Sequence, residues 1–555
     1  MLITTWIYLT LSAVSALSVA VGRPWTSVIA RLSNPREIWS SPVFLETNKV
    51  LTGAWAVIFG AAALVSEFGP PMLHIAAGVV MTAMGVASTR VGRWYSERKL
   101  EGLGIQVDSS GDVLKALQDQ IDAANPWDWE PPELGVAEHS SRDCDVIVIG
   151  SGVGGLTAGA LLAKRGHRVT VVEQHTIPGG FCHSWKRMVH TQDGRARVQF
   201  DAGVHDVSGT HAGGTIDNIL RLVEAQERID WRTVSQEYVV GDQRIVVPED
   251  WRTFVDELGL RFPVDRHRVE ALFAEIKKVH DGLYSAADWS LGVPRPPQTV
   301  EGMLTFSAEH PTTLKWRHMP FLEMLDEFLT DPKLKQLLTV LTGYLTDRPK
   351  DLTVGNMAPI FGYYFNGGRY PAGGSQRFPD LLVQVIRENG GAVHFKSSVE
   401  RILVANDAVR GIRLTDGAEI LAPAVVSNAD LSRTIGDLLK DVALPEEFAS
   451  RFGKLETSTS GLAVQLVVDF VPDVEPITIV SDGAGLGFAM SIPSLVDPEI
   501  APPGCAGIEL LSFVSKEEAL RWKRDDPDYA SRKLKACDAL VEQAAKLVPG
   551  LAEGI

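Results

Sequence analysis

The chain has 555 residues, four cysteines and a formal net charge of −16 at neutral pH. This length is sufficient for two or three domains, each with its own hydrophobic core. The four cysteines (Cys144, Cys182, Cys505 and Cys537) are too scattered for a disulfide framework or a C-x-x-C zinc site, so we expect a reducing compartment and no metal. The excess of acidic residues argues against nucleic acid as a partner.

Residues 1–99 differ from the rest because they contain three uncharged apolar runs, at about 2–21, 50–66 and 70–89. Such runs predict transmembrane helices, although the second is slightly short. All eight Lys and Arg residues lie between the first two runs or after the third. The positive-inside rule then predicts an integral protein of the cell membrane, with the N-terminus outside and the remaining domains in the cytoplasm. The first run could instead be a cleaved signal peptide, and the other two a re-entrant hairpin.

Residues 100–142 are predicted to form a linker that connects the membrane region to the next domain. Trp127 and Trp129 lie in a proline-rich part of it. Their rings suit either the membrane interface, where aromatic side chains are favoured, or simple packing against the following domain.

A strand and a glycine turn follow the linker. Asp145–Ile149 is a short run of β-branched residues, as expected for a strand that is buried on both faces. Gly150, Gly152 and Gly155 have the G-x-G-x-x-G spacing that lets the backbone approach a pyrophosphate. Gly154 opens the predicted helix over 154–165, whose N-terminal N–H groups would face the phosphates.

The second strand, Arg168–Val172, ends at an acidic residue. Glu173 comes 23 residues after Gly150, where a carboxylate can accept hydrogen bonds from both hydroxyl groups of a ribose. Strand, turn, helix, strand and acid therefore predict a dinucleotide-binding unit over 143–209. A second glycine turn at Gly179 and Gly180 lets the backbone pass the cofactor again.

Four motifs together resemble the FAD-dependent phytoene desaturase, carotenoid isomerase and retinol saturase family of amine oxidase-like flavoproteins. They are 179–185 (GGFCHSW), 200–205 (FDAGVH), 368–374 (GRYPAGG), and 399–402 (VERI) with 425–429 (VVSNA). The resemblance implies FAD as the cofactor and an α/β fold, in which a Rossmann-type FAD-binding domain (143–209 and 366–435) carries an inserted α+β substrate domain. It also implies that the backbone at Val399 meets the adenine, and that the segment with Asn428 closes the lobe near the flavin.

The resemblance makes residues 210–365 the insertion that binds substrate or lipid. Helical patterns cover Trp251–Leu258, Val269–Leu283 and Phe321–Leu345. Aromatic residues such as Trp316, Phe321, Tyr344, Phe361, Tyr363, Tyr364 and Phe365 suit either an apolar tunnel or an ordinary core. Residues 436–555 predict a further sheet and helix of the substrate domain. They contain no glycine-rich flavin segment like the one that ends related chains, so we expect a chain truncated before that segment.

The expected function is that of a membrane-anchored FAD-dependent oxidoreductase. Its substrate would be an isoprenoid or polyene lipid, desaturated, saturated or isomerised at a C–C double bond, with an unknown electron donor or acceptor. His183 and His205 are weak candidates for an acid or base beside the flavin, and a structural role is favoured for both. Cys182 could link the flavin covalently, but a packed thiol is favoured. The alternatives are an amine-oxidase-like enzyme for a polar amine and a non-catalytic membrane flavoprotein.

Overall fold

The computed structural model describes residues 3–31, 42–102, 143–191, 194–285, 297, 299–346, 348–455, 460–481, 486–514 and 516–554. The strands of this part of the chain are β1 (Val146–Ile149), β2 (Val169–Val172), β3 (Ser184–Thr191), β4 (Gly194–Asp201), β5 (Trp231–Val234), β6 (Gln236–Val240), β7 (Gln243–Val247), β8 (Gly368–Pro371), β9 (Ala392–His394), β10 (Val399–Ala405), β11 (Ala408–Leu414), β12 (Glu419–Leu421), β13 (Ala424–Ser427), β14 (Ser460–Val468), β15 (Ile477–Ser481), β16 (Leu486–Ser491) and β17 (Ala506–Val514). The longer helices are Ile3–Ala20, Pro42–Phe68, Pro71–Gly102, Val153–Lys164, Thr215–Leu222, Trp251–Arg261, Arg266–Tyr284, Val300–Glu309, Phe321–Phe328, Pro332–Leu338, Val354–Ile360, Arg377–Glu388, Glu446–Phe452 and Tyr529–Ala544.

The three apolar runs at the N-terminus all form helices, and the second and third helices extend well beyond the predicted bounds. The second helix begins eight residues early, at Pro42, and the third continues to Gly102. Within the described residues, one helix, Phe44–Phe68, is long and apolar enough to cross a membrane. The apolar parts of the other two helices are shorter. The predicted linker with Trp127 and Trp129 lies outside the described residues.

The dinucleotide unit is a four-stranded parallel sheet in the order β13-β1-β2-β9. Every residue of β1 and β2 is buried, because helices 153–164 and 377–388 cover one face and the three-stranded meander β10-β11-β12 covers the other. Asn406 and Asp407 form the tight turn between β10 and β11, and both have the positive φ that such a turn requires.

A second sheet joins two distant parts of the chain. It has six strands in the order β14-β17-β16-β15-β6-β7, and β15 pairs in parallel with β6. The insertion and the C-terminal segment therefore build one sheet. Residues of its strands β14, β16 and β17 pack against the helix Tyr529–Ala544.

The helical pattern over Phe321–Leu345 is not one helix, and this part of the prediction was wrong. One helix ends at Phe328 and the next begins at Pro332, because proline cannot continue a preceding helix. The fully buried carboxylate of Asp265 accepts hydrogen bonds from the backbone N–H groups of Thr330 (2.8 Å) and Asp331 (2.7 Å). The break is thus held by a residue that lies 65 positions earlier.

The aromatic residues of the insertion are mostly core. Trp316, Phe321, Phe361 and Tyr364 are at most 1% exposed and belong to the large hydrophobic cluster of this domain. Tyr363 differs, because it lines a cavity and stacks on Tyr344 with ring centroids 5.6 Å apart.

Candidate flavin site and adjoining cavity

The two glycine turns meet at the carboxyl end of β1. Gly150 has a φ of +93°, and the N–H of Gly179 donates to the carbonyl of Ser151 at 2.8 Å. Gly152 and Gly179 form an isolated parallel bridge, so the two backbone segments run side by side. A Cβ on Gly180 would lie 3.2 Å from the Cα of Gly152, which leaves no room for a larger residue at this contact.

The first turn of the helix Val153–Lys164 is held by a side-chain amide from the end of the neighbouring strand β13. Asn428 directly follows β13, and its Oδ1 accepts from the N–H of Gly155 at 2.9 Å. A Cβ on Gly155 would lie 2.2 Å from the carbonyl oxygen of Gly150, so the helix can approach the strand only with glycine there. A Cβ on Gly154 would lie 2.9 Å from Nδ2 of Asn428.

Glu173 lies at the end of β2, as predicted, and accepts hydrogen bonds from the glycine turn that follows β1. Its Oε2 accepts from the N–H and the hydroxyl of Ser151 at 2.7 and 2.8 Å, and its Oε1 accepts from the N–H of His175 at 2.7 Å. A carboxylate has about four acceptor positions, so these three bonds leave capacity for a ligand hydroxyl group.

A cavity of about 610 Å³ lies in front of these turns. Its lining includes seven of the predicted cofactor-binding residues: Gly150, Gly152, Glu173, Gly179, Gly180, Val399 and Asn428. Gly154 and Gly155 lie behind this surface and shape the helix start. The lining also contains Phe181, Ser397, Ser398, Asp430 and Arg433, which sequence reasoning did not single out.

These residues fit a flavin dinucleotide. The glycine backbone at 150, 152 and 180 leaves a cradle that side chains would fill, and the helix start supplies positive dipole and N–H groups for a pyrophosphate. Glu173 adds a carboxylate to the lining and Arg433 adds a positive charge. The cavity has the size of a cofactor site.

His183 is not aimed at the cavity. Its Nδ1 lies 2.6 Å from the carbonyl oxygen of Gly180, and its ring packs near that of His175. This contact is the structural role that the sequence favoured. Cys182 does line the cavity, but its thiol donates to the carbonyl of Ser375, and burial raises its pKa to about 12. A thiol held protonated in this way is a poor nucleophile for a covalent link.

His205 lies beside a buried acidic network instead of lining the cavity. Its Nδ1 is 3.9 Å from Oε2 of Glu509, a residue of β17. Burial lowers the pKa of His205, but Glu509, Asp206 and Asp201 outweigh it, and the net shift is upward. The sequence could not show this pairing, because the two residues lie in segments that are about 300 positions apart.

Asp201 is the centre of that network. One carboxylate oxygen accepts from the hydroxyl groups of Ser184 (2.6 Å) and Ser375 (2.7 Å), and the other accepts from Tyr370. Its own N–H donates to Glu509 at 2.6 Å. These bonds join the motifs 200–205 and 368–374, so their side chains serve mainly to connect the two halves of the flavin domain.

A second cavity of about 650 Å³ adjoins the first, and Val204 lines both. It lies against the insertion and combines apolar residues (Val207, Ile216, Pro359, Ile360) with polar ones (Asp206, Ser208, His280, Asn366). Asp206 is 7% exposed, and its Oδ1 has no hydrogen-bond partner among the described residues. Burial raises its pKa to about 6.

Comparison with known proteins decides the family. The sequence profile described as flavin-containing amine oxidoreductase matches residues 153–546. The chain belongs to this family. It is an FAD-dependent oxidoreductase, and the predicted cofactor is confirmed.

Individual relatives agree with the predicted branch of this family. The chain is 27% identical to prolycopene isomerase of Daucus carota over 436 residues, which are 75% of this chain and 68% of that protein. It is also 27% identical to all-trans-retinol 13,14-reductase of Danio rerio over 352 residues, 60% of this chain and 55% of that protein. The crystal structure of an oxidoreductase from Methanosarcina mazei has the same fold, with a TM-score of 0.54, 20% identity and coverage of 73% and 85% of the two chains.

Proposed function

We propose that this chain is a membrane-anchored FAD-dependent oxidoreductase that acts on a C–C double bond of a carotenoid- or retinoid-like isoprenoid lipid. The observation that carries the proposal is the pair of adjoining cavities, in which Val204 separates the glycine-lined space from a larger space in the insertion. The names of the relatives, an isomerase of prolycopene and a reductase of retinol, support the substrate class.

The residues of the first cavity would hold the cofactor. Gly150, Gly152 and Gly180 bring backbone close to the pyrophosphate, and Glu173 accepts from the ribose. Val399, at the start of β10, lies on the cavity wall where the adenine is expected. Bound there, the flavin supplies two-electron chemistry, while the protein positions the substrate bond and excludes water.

A turnover experiment tests the proposal. Purified full-length protein in detergent, supplied with FAD, is incubated with a poly-cis carotene, with retinol or with an aliphatic amine, under reducing and oxidising conditions. We expect a change in the polyene absorption spectrum and new isomers or saturated products by chromatography. Amine oxidation without any polyene conversion would contradict the proposal, and so would flavin-loaded protein that converts neither class.

An amine remains the second candidate because of Asp206. A buried carboxylate with an oxygen that has no partner, in a wall of the second cavity, could pair with a substrate ammonium group. In that case the amine arm of the same experiment would give turnover, and Asp206→Asn would abolish it.

The orientation in the membrane is also part of the proposal. Thr5 bonds with Ser66, and Thr26 donates to the carbonyl of Asn48, so the first two long helices are antiparallel. A Cβ on Gly92 would lie 3.2 Å from the side chain of Leu51. The later part of the third helix therefore packs against the early part of the second helix, at the end of the bundle where Thr26 lies. The described parts of both basic segments thereby lie at one end of the helical bundle.

With three crossings in this arrangement, the positive-inside rule favours the cytoplasm for the basic end and for the flavin domain after it. Reporters fused after Gly69 and after Leu100 test the topology: the first should respond as external and the second as cytoplasmic. Two reporters on the same side would rule out three crossings, and the opposite pattern would reverse the orientation.

A further inference from the structure

Three polar atoms surround Gly362 on the wall of the second cavity. A Cβ built on Gly362 would lie 3.5 Å from Nε2 of His280, 3.6 Å from Oγ of Ser208 and 3.9 Å from Nδ2 of Asn366. All four residues line the cavity. The structure gives none of these three atoms a hydrogen bond to the residues that it describes. Because glycine has no Cβ, a ligand atom in the cavity can approach the backbone at Gly362, with polar groups on three sides.

The ring of His280 is held in one orientation. Its Nδ1 lies 3.1 Å from Oδ1 of Asp281, and the ring packs between Tyr284 and Phe365, with centroid distances of 4.7 and 5.3 Å. Because the proton on Nδ1 faces the carboxylate, Nε2 of a neutral imidazole is an acceptor that points to the space beside Gly362. Burial lowers the pKa of His280, although Asp281 opposes the shift, so the neutral form is favoured near pH 7.

The donor and acceptor pattern matches an alcohol. A hydroxyl group donates one hydrogen bond and accepts two. It can donate to His280 Nε2 and accept from the amide of Asn366 and the hydroxyl of Ser208. A carboxylate has no proton to donate to Nε2, and a hydrocarbon end would leave all three polar atoms without partners in a largely buried place, which is costly.

We propose that Ser208, His280 and Asn366 form a subsite that binds the terminal hydroxyl group of an isoprenoid substrate, which makes a polyene alcohol the preferred substrate class. The inference rests on the function proposed above, because it concerns the same substrate cavity. Since Val204 lines both this cavity and the glycine-lined one, a substrate anchored by its hydroxyl end beside Gly362 could extend its chain of double bonds toward the flavin.

Ligand binding tests the subsite without turnover. The probes are all-trans-retinol, its deoxy analogue with a methyl end, and the corresponding carboxylic acid, titrated into full-length protein while tryptophan fluorescence is followed. Three hydrogen bonds to neutral groups predict that the alcohol binds at least about tenfold tighter than the deoxy analogue. The acid should bind more weakly than the alcohol.

Gly362→Ala is the decisive variant. Its methyl group would make ordinary contacts at 3.5–3.9 Å, so the fold is preserved, but it stands between the three polar atoms and keeps a ligand hydroxyl group away from them. The preference for the alcohol should fall to about one, with binding of the deoxy analogue retained. Gly436→Ala is the control, because no atom lies within 4 Å of its new methyl group. His280→Phe keeps a ring of similar size and should also remove the preference.

The outcomes separate this inference from the proposed function. If wild-type protein binds the alcohol and the deoxy analogue equally, or prefers the acid, the hydroxyl subsite is refuted while a polyene substrate stands. An undiminished preference in both Gly362→Ala and His280→Phe also refutes the subsite. Failure of every polyene probe to bind would count against the proposed function itself.

Discussion

Replacing Asp206 by Asn should change how the stability of this protein depends on pH. The carboxylate is buried, and its Oδ2 accepts from Nε2 of Gln236 at 2.6 Å, while Oδ1 has no partner in the described part of the chain. Burial raises its pKa from 3.8 to about 6, although His205 and the hydrogen bond from Gln236 oppose the shift. The groups that interact electrostatically with it are His205, Tyr238, Tyr344 and Tyr363.

The size of the effect follows from the shift. A difference of roughly two pKa units corresponds to about 3 kcal/mol at about 1.4 kcal/mol per unit. Because the pKa of the folded state lies above that of the unfolded state, the stabilising contribution is complete below about pH 4 and is lost as the pH rises to about 6. Asparagine does not titrate, so wild-type protein should lose about 3 kcal/mol relative to Asp206→Asn across this interval.

Denaturant unfolding of both proteins in detergent, at several pH values between about 4 and 7, measures the difference. Infrared spectra should also show a protonated carboxylic acid in wild-type protein below about pH 6 that Asp206→Asn lacks. Asp242→Asn is the control, since that carboxylate is exposed and paired with Lys333. A stability difference between wild type and Asp206→Asn that stays constant with pH would refute the reasoning.

Three further predictions concern the flavin site and the fold. Gly152→Val should yield colourless protein, because the new side chain enters the cofactor cradle; one flavin per chain in this variant would contradict the assignment. Glu173→Ala should weaken FAD binding by about 1–3 kcal/mol in a titration, from the loss of hydrogen bonds to a charged acceptor. Asp265→Ala should lower the free energy of unfolding by about 2–4 kcal/mol, since it leaves the N–H groups of Thr330 and Asp331 without their partner; an unchanged unfolding midpoint would contradict this.

The local parts of the flavin site could be predicted from the sequence. The spacing of Gly150, Gly152 and Gly155 predicts a turn that only glycine allows. The β-branched run before this turn and the acidic residue after the next strand show that the turn follows a strand of a dinucleotide-binding unit. Each of these features depends on the backbone preferences of a few consecutive residues, so it is visible without the rest of the chain. The same holds for the turn at Asn406 and Asp407.

The position of Asn428 could be inferred only from the family resemblance, and its contact with Gly155 could not be inferred at all. That bond joins residues 273 positions apart and exists because β13 lies beside β1 in the sheet. The role of His205 was open for the same reason, since Glu509 reaches it from a strand of the other domain. Asp265 gave no local sign that it would interrupt a helical pattern 65 residues later.

What the sequence by itself determined about this protein is therefore its cofactor, its N-terminal apolar helices and its family, because these depend on short motifs and on composition. Only the tertiary structure decided which side chains surround the second cavity. The point between Ser208, His280 and Asn366 is created by a turn and two helices from separate parts of the chain, around a glycine whose importance lies in the space it leaves. Such convergence is set by packing between distant segments, which no local pattern encodes.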